Sequence, residues 1–217
     1  MKNNWIRYIF PPLNANMYLL IKENYAVIVD PSIQEDALKF LRQHNISKVY
    51  IILTHEHFDH ISGVTYYKKR FNTHIIAHKY TNDRVSNPKN KITSIYMASL
   101  MSKPSDIQKL AMKQCNEPIF FDVDTIINEE YECAIGNHLF YFRHIPGHSQ
   151  GSIAIIMDNK ILFSGDSLIY VEETNTRFIG GSYTDYQDIT LPYFKSLNKE
   201  LLVLPGHGES FYLGEVL

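Results

Sequence analysis

Residues 54–60, Thr-His-Glu-His-Phe-Asp-His, hold four side chains that can bind a metal ion: His55, His57, Asp59 and His60. Imidazole nitrogens and carboxylate oxygens are the ligands that divalent zinc, iron and manganese accept. His55 and His57 are two positions apart, so in an extended segment both side chains point to the same side. Asp59 and His60 are adjacent and diverge, so they can serve a neighbouring ion.

Three further candidate ligands, His148, Asp166 and His207, each follow an apolar segment with the composition of a strand. Each also lies beside glycine in a predicted turn, a position where loops on a rigid scaffold carry function. With the first four side chains they make seven potential ligands, enough for two metal ions that share one bridging group. Sites of this kind produce hydroxide at neutral pH, so the pattern predicts a metal-dependent hydrolase.

The rest of the chain supplies elements that can position these side chains. Short segments rich in β-branched and aromatic residues predict strands over 5–10, 17–22, 25–30, 48–53, 74–78, 138–143, 152–157, 160–164 and 201–204. Helical spacing of apolar residues predicts helices over 33–43 and 61–71, two helical stretches within 79–117, and a helix near 188–197. Strands and helices followed by strands and helices again predict two sheets with helices outside. We therefore expect a single domain over 1–217, with a helical insertion at about 79–117 that joins two halves.

Composition limits the partners. The chain has 217 residues and a net charge of −2, so no strong field is available to gather nucleic acid or an anionic membrane, and we expect neither partner. The two cysteines, Cys115 and Cys133, do not make a disulfide framework. Pro11 and Pro12 interrupt the only apolar stretch near the N-terminus, so we expect no secretory signal and a cytoplasmic location.

The ordered set of motifs resembles the metallo-β-lactamase fold superfamily and, within it, the glyoxalase II-like hydrolases. The resemblance covers nearly the whole chain and includes Asn16-Met-Tyr, Asp30-Pro31, the Thr54–His60 motif, Pro146-Gly-His148, Gly165-Asp166 and Pro205-Gly-His-Gly208. A single His-x-His-x-Asp-His can arise by chance, whereas the ordered set is specific. The resemblance implies an α/β fold, a four-layered αβ/βα sandwich of two mixed β-sheets with the metals in a cleft at one edge.

The resemblance also implies roles for individual residues. His55, His57 and His148 would bind the first metal ion, Asp59, His60 and His207 the second, and Asp166 would bridge them. Two divalent ions are expected, with zinc as the first choice and iron or manganese as alternatives, and a bridging hydroxide would attack the substrate carbonyl. Asp59 is also the candidate catalytic residue, since it could orient that hydroxide. Asp30 and Thr54 resemble positions that support the metal loop, because ligating imidazoles need their other nitrogen fixed.

For the substrate, the resemblance implies a small-molecule or carrier-bound acyl thioester, or a related ester. Gly180–Asp185 resembles a Gly-Arg-Thr-Asp stretch of related hydrolases and persulfide dioxygenases, with Tyr183 in place of the arginine. The insertion could supply a lid, in which Tyr96 would line an acyl pocket, although packing onto the core is the plainer interpretation. Arg177 could bind a substrate carboxylate, and a solvated surface position is its plainer alternative.

Other functions stay open at this point. A persulfide dioxygenase would hold a single iron through His55, His57 and His148. A lactonase and a β-lactamase are further alternatives, but Asp59, Asp166 and the expected lack of a secretory signal favour a glyoxalase II-like hydrolase over a β-lactamase. A non-catalytic interaction module is a further alternative. Metal analysis separates the first two classes, since two zinc or manganese ions indicate hydrolysis and one iron with oxygen uptake indicates the dioxygenase.

Overall fold

Two six-stranded mixed β-sheets form the centre of the structure, a computed structural model that describes residues 5–115 and 118–217. The last two positions of the predicted insertion, 116 and 117, lie outside the described residues. The first sheet contains, in spatial order, β1 (Trp5–Phe10), β2 (Ala15–Ile21), β3 (Tyr25–Val29), β4 (Lys48–Ile52), β5 (Asn72–His78) and β6 (Thr125–Ile127). Strands β1, β2 and β3 pair antiparallel to one another in sequence, and β3 to β6 run parallel.

The second sheet contains, in chain order, β7 (Glu130–Ile135), β8 (His138–His144), β9 (Ile153–Met157), β10 (Ile161–Gly165), β11 (Leu202–Pro205) and β12 (Phe211–Tyr212). All neighbouring pairs are antiparallel except β10 and β11, which are parallel. Parallel neighbours need a crossover connection, and both sheets use helices for it.

The crossovers of the first sheet are α1 (Glu35–Gln43), then α2 (Phe58–Ile61) and α3 (Val64–Lys68), then α4 (Lys79–Val85), α5 (Ile92–Ser99) and α6 (Ser105–Gln114). The crossover between β10 and β11 starts with α7 (Tyr183–Asp185), continues through a π-helical turn (Tyr186–Thr190) and ends with α8 (Leu191–Ser196). A 3-10 turn (Leu213–Glu215) follows β12. No helix in the described part of the chain is both long and apolar enough to span a bilayer.

Alternate residues of β2 show how the layers pack. Met17 and Leu19 lie in the core beneath the helices of the first sheet, whereas Tyr18 and Leu20 lie in the core between the sheets. Side chains of a strand alternate between its two faces, so a strand buried on both faces must be covered on both. A third core, centred on Phe194 of α8, covers the outer face of the second sheet. The layers are therefore helix, sheet, sheet and helix, which confirms the predicted four-layered sandwich.

One element differs from its predicted form where it matters for the site. The helix expected over 61–71 begins earlier, at Phe58, and is divided into α2 and α3 at Gly63. The Gly63 amide donates a hydrogen bond to Pro31 O, at 2.8 Å. A Cβ on Gly63 would lie 2.6 Å from the carbonyl carbon of Ser32, so only glycine allows this close approach. The division therefore anchors the metal-binding motif to the loop that follows β3.

Candidate metal centre

The candidate ligands meet where the parallel strands of the two sheets end. The motif at 54–60 follows β4, His148 lies between β8 and β9, and Asp166 and His207 follow β10 and β11. Carboxyl ends of parallel strands share one edge of a sheet, which is where α/β proteins build their sites. The two sheets are joined there by the backbone, since Ile153 N donates to Thr54 O at 2.9 Å.

The first donor group consists of His55, His57, His148 and Asp166, whose ligand atoms lie within 4.8 Å of one another. His57 Nδ1 is 3.1 Å from His55 Nε2 and 3.0 Å from His148 Nε2. Asp166 Oδ2 is 3.6 Å from His148 Nε2 and 4.0 Å from His55 Nε2. Three imidazoles and one carboxylate oxygen therefore converge on one point.

The second donor group consists of Asp59, His60 and His207, within the same 4.8 Å limit. His60 Nε2 is 3.3 Å from His207 Nε2, and Asp59 Oδ2 lies 3.8 Å and 3.6 Å from these two atoms. Asp166 reaches this group too, because Oδ1 is 3.3 Å from His60 Nε2 and Oδ2 is 3.3 Å from His207 Nε2. Asp166 thus lies within 4 Å of donor atoms of both groups, and its role as a bridge between two ions stays a prediction.

Asp30 and Thr54 hold two of the imidazoles from outside. The Asp30 carboxylate accepts hydrogen bonds from Thr54 N at 2.7 Å and Thr54 Oγ1 at 2.6 Å, and it lies 3.0 Å from His60 Nδ1. Thr54 Oγ1 is also 3.0 Å from His55 Nδ1. These contacts fix which nitrogen of each ring faces the centre. That Asp30 and Thr54 support bound metal stays a prediction.

Backbone carbonyls hold two other rings in the same way. His148 Nδ1 is 2.9 Å from Asn175 O, and His207 Nδ1 is 3.0 Å from Leu13 O. A carbonyl only accepts, so each Nδ1 carries a proton and each Nε2 faces the centre, where it offers a lone pair whenever the ring is neutral.

The residues fit divalent cations. Lone pairs of neighbouring imidazoles would face one another at hydrogen-bond distance without a proton or a cation between them. Asp166 Oδ1 is buried, and although His60 Nε2 lies 3.3 Å away, no described residue makes a well-aligned hydrogen bond to this oxygen. A buried carboxylate oxygen without a donor is costly, and a cation in each group would satisfy both this oxygen and the converging nitrogens. Mixed nitrogen and oxygen donors suit zinc, iron and manganese.

Without cations, the charges of the cluster are strongly perturbed. Burial lowers the pKa of His55 well below its usual value, and neighbouring His60 adds to the effect. Burial also disfavours charge on His60, but the carboxylates of Asp166 and Asp59 outweigh it and raise the pKa of His60 well above its usual value. Burial opposes ionisation of Asp166, but the charges of His60 and His207 outweigh it and hold its pKa well below the usual range. Protons and cations therefore compete for the same atoms.

A cavity of about 200 Å³ opens onto the donor groups, and His57, Asp59, Asp166 and His207 form part of its lining. Most of the remaining wall is apolar and comes from α5 and the segment before α7: Ile92, Ile95, Tyr96, Phe178 and Ile179. A partly enclosed apolar cavity with a few convergent polar groups is the usual form of a small-molecule site.

The three candidate substrate residues have different positions. Tyr96 lines the cavity, and its ring stacks on Phe58 with centroids 4.5 Å apart. Arg177 and Tyr183 are exposed, and neither belongs to the cavity lining in the described part of the chain. Their role in substrate binding stays a prediction.

The cavity wall also contains Glu56 and Arg84, two charged residues that no motif or spacing in the sequence marks as functional. The Glu56 side chain is 1% exposed, and its Oε2 accepts hydrogen bonds from Ser149 Oγ at 3.0 Å and Thr81 Oγ1 at 3.4 Å. Arg84 Nη1 lies 3.8 Å from Glu56 Oε1. Burial lowers the pKa of His57 and the positive charge of Arg84 adds to this lowering, so the guanidinium acts on the first donor group.

Comparisons with known proteins agree with this geometry. The family model described as Metallo-beta-lactamase superfamily matches residues 10–207. "Probable metallo-hydrolase YqgX" of Bacillus subtilis is 27% identical over 206 residues, which cover 94% of this chain and 90% of that protein. "Hydroxyacylglutathione hydrolase GloC" of Haemophilus influenzae is 26% identical, over 89% of this chain and 84% of that protein. The crystal structure of the BLEG-1 B3 metallo-beta-lactamase superposes with a TM-score of 0.75 and 26% identity, over 97% of this chain and 95% of that one.

Proposed function

Because the chain belongs to the metallo-β-lactamase superfamily, we propose that it is a hydrolase that holds two divalent metal ions and cleaves a thioester or related ester bond. The observation that carries the proposal is the convergence of two donor groups on the shared carboxylate of Asp166. Bound divalent ions lower the pKa of a coordinated water to about 7 and polarise a carbonyl oxygen, which is the chemistry that ester and thioester hydrolysis needs. Zinc is the first choice, with iron or manganese as alternatives.

The residues of the chain have distinct roles in this proposal. His55, His57 and His148 hold one ion, Asp59, His60 and His207 hold the other, and Asp166 contacts both. Asp59 lines the cavity and is 6% exposed, so its carboxylate can accept a hydrogen bond from the attacking water and orient it. Asp30 and Thr54 keep the ring nitrogens turned toward the ions.

The cavity supports an acyl substrate. Its apolar wall, which includes Tyr96, offers a surface for the hydrocarbon part of an acyl group, and members of both donor groups form part of the same lining. The name of the Haemophilus influenzae relative, a hydroxyacylglutathione hydrolase, supports a thioester as the scissile bond. The substrate is then a small-molecule or carrier-bound acyl thioester. Two unpaired cysteines support the reducing environment of the cytoplasm as the location.

Metal content and substrate screening test the proposal together. The purified protein is assayed for zinc, iron and manganese, and then incubated with acyl-glutathione, acyl-coenzyme A, carrier-bound acyl, lactone and β-lactam substrates. We expect about two metal ions per chain and turnover of at least one thioester. One iron per chain, oxygen uptake with a persulfide and no hydrolysis across the panel would establish the dioxygenase instead.

Substitution of the shared carboxylate gives a sharper test. In Asp166→Asn the bridging charge is lost, so we expect the metal content to fall, most of all for the second ion, and hydrolysis to fall with it. Asp158→Asn is the matched control, because Asp158 lies in the turn between β9 and β10, outside the cavity. Full metal content and full rate in Asp166→Asn would contradict the assignment.

A further inference from the structure

We propose that Arg84 is a specificity-determining residue of this cavity and that it binds a carboxylate of the substrate. The inference rests on the proposed function, since it names the class of substrate that the same cavity takes. It depends on how Glu56 and Arg84 are placed in the cavity wall.

Glu56 is a buried carboxylate that needs a cation. Two hydroxyl groups, from Ser149 and Thr81, donate to its Oε2, but Oε1 has no hydrogen-bond partner in the described chain. Leaving a buried charge without a counter-charge is strongly unfavourable. Arg84 Nη1, at 3.8 Å from Oε1, supplies that counter-charge. Glu56 therefore acts as a positioning residue that keeps the guanidinium at the cavity wall.

The guanidinium of Arg84 has hydrogen-bond donors that no other residue uses in the described part of the chain. A guanidinium carries five N–H donors, and none of them makes a hydrogen bond to another residue within 5–115 or 118–217. The side chain is 31% exposed and lines the cavity. A methyl group added at Gly180 would lie 3.9 Å from Glu56 Oε1 and 4.0 Å from Arg84 Nη2, so the pair lies under the segment that carries Phe178 and Ile179. The unused N–H donors of Arg84 are therefore available to a substrate in the cavity.

The chemistry of these donors selects the ligand. A planar guanidinium matches the two oxygens of a carboxylate and binds them through parallel hydrogen bonds. The rest of the cavity wall near it is apolar, so a carboxylate has few other partners there. Glu56 disfavours a second anion at the same place, and this limits the site to one carboxylate, on either the acyl group or the thiol of the substrate.

Direct binding tests the inference independently of turnover. Calorimetry on the metal-loaded protein compares α,ω-dicarboxylates from malonate to adipate with monocarboxylates of the same length. One carboxylate can bind the metal centre in both series, and only the dicarboxylates offer a second one to Arg84. We expect the best dicarboxylate to bind about 10- to 100-fold more tightly than its monocarboxylate, the range for hydrogen bonds to a charged group. Arg84→Met should abolish this ratio, and Arg84→Lys should keep part of it.

Variants separate recognition from folding. Arg84→Met leaves Glu56 without a cation, so Glu56→Gln combined with Arg84→Met removes both charges and restores a neutral wall. Arg42→Met is the matched control, because Arg42 is an exposed arginine of α1 outside the cavity. Equal binding of both series to the unmodified protein, or an unchanged ratio in both Arg84→Met variants, would overturn the inference.

Turnover of matched thioesters shows whether Arg84 binds a carboxylate on the acyl group or on the thiol of the substrate. In the first pair, the succinyl thioester of N-acetylcysteamine carries a carboxylate on its acyl group and the butyryl thioester carries none. In the second pair, the butyryl thioester of N-acetylcysteine carries a carboxylate on its thiol and that of the methyl ester carries none. In the preferred pair, we expect Arg84→Met to raise KM about 10- to 100-fold for the carboxylate substrate only. If no thioester is cleaved, the proposed function fails, while the calorimetric ratio still decides the role of Arg84.

Discussion

Asp30→Asn tests how the metal centre depends on a residue that does not face it. Asp30 is 3% exposed, and one of its oxygens lies 3.0 Å from His60 Nδ1. The amide of the variant can keep the oxygen that accepts from Thr54 N, which puts its NH₂ group opposite His60 Nδ1. That nitrogen must then accept a hydrogen bond rather than donate one, so the ring proton moves to Nε2, the atom that faces His207 and Asp166. A protonated Nε2 cannot bind a cation.

The magnitude follows from the bond that is lost. A hydrogen bond to a charged group contributes about 1.5–3 kcal/mol, and both partners here are buried, so no solvent screening reduces it. At about 1.4 kcal/mol per tenfold change, affinity for the second cation should fall about 10- to 100-fold. The general effect of removing the outer partner of a metal-binding histidine is also about 10- to 100-fold. The backbone is not a cause, because Asp30 has a φ of 53° and asparagine tolerates this conformation well.

Competition with a zinc chelator measures the two affinities in turn, and metal analysis gives the stoichiometry. Asp158→Asn is the matched control, because Asp158 also has a positive φ, accepts from a backbone amide (Leu139 N, 2.9 Å) and binds a histidine (His138 Nδ1, 2.6 Å), all outside the metal centre. Asp158→Asn should keep both metal affinities. Wild-type affinity for both ions in Asp30→Asn would refute the tautomer argument.

Two other substitutions test the surroundings of the centre and of the control pair. In Gly206→Ala the new Cβ would collide with Asp166 Oδ1 and lie 2.9 Å from His60 Cε1, so we expect a loss of about 1–3 kcal/mol in the free energy of unfolding and release of metal from both groups, measured by urea titration and metal analysis. Partial burial tends to raise the pKa of Asp158, but the hydrogen bonds from His138 and Leu139 N and the positive charges nearby together outweigh burial and lower this pKa. The pair should therefore stabilise the metal-free protein fully above about pH 4 and lose its effect as the pH falls further, so the difference in urea midpoint between the unmodified protein and Asp158→Asn should shrink. A difference that does not change with pH would contradict this account.

The sequence predicts the framework of the site because its signals are local. Each candidate ligand follows a short apolar segment, and each such segment is a strand that ends at the shared edge. Helical spacing also predicts an apolar face of Ile33, Ala37, Leu38 and Leu41 for the helix over 33–43. Ala37, Leu38 and Leu41 are buried, whereas Ile33 lies before α1 and is 46% exposed. The geometry brings all seven candidate ligands into two groups. That they bind two ions stays a prediction until metal is measured.

The cavity is less accessible to sequence reasoning because its contacts are not local. Glu56 occupies a spacer position of the metal motif, and its partner Arg84 is 28 positions away in α4, a helix of seven residues that is too short and too polar to show a clear face. The chemistry of Arg177 and the motif around Tyr183 predict a contact with substrate for each. Between β10 and α7, however, the chain follows a path that no local rule sets, and Phe178 lines the cavity instead.

The joint between the two sheets has a consequence for the whole molecule. Both donor groups combine side chains from either half of the chain, and Asn16 of β2 reaches across to the loop before His207, with Asn16 N donating to Gly206 O at 2.7 Å and its side chain to Pro205 O at 3.0 Å. The free energy of cation binding is therefore coupled to the free energy that holds the two halves face to face. Cations bound in both donor groups would link the two halves, so chelation should weaken the whole interface, and a misaligned interface should lower the affinity for metal.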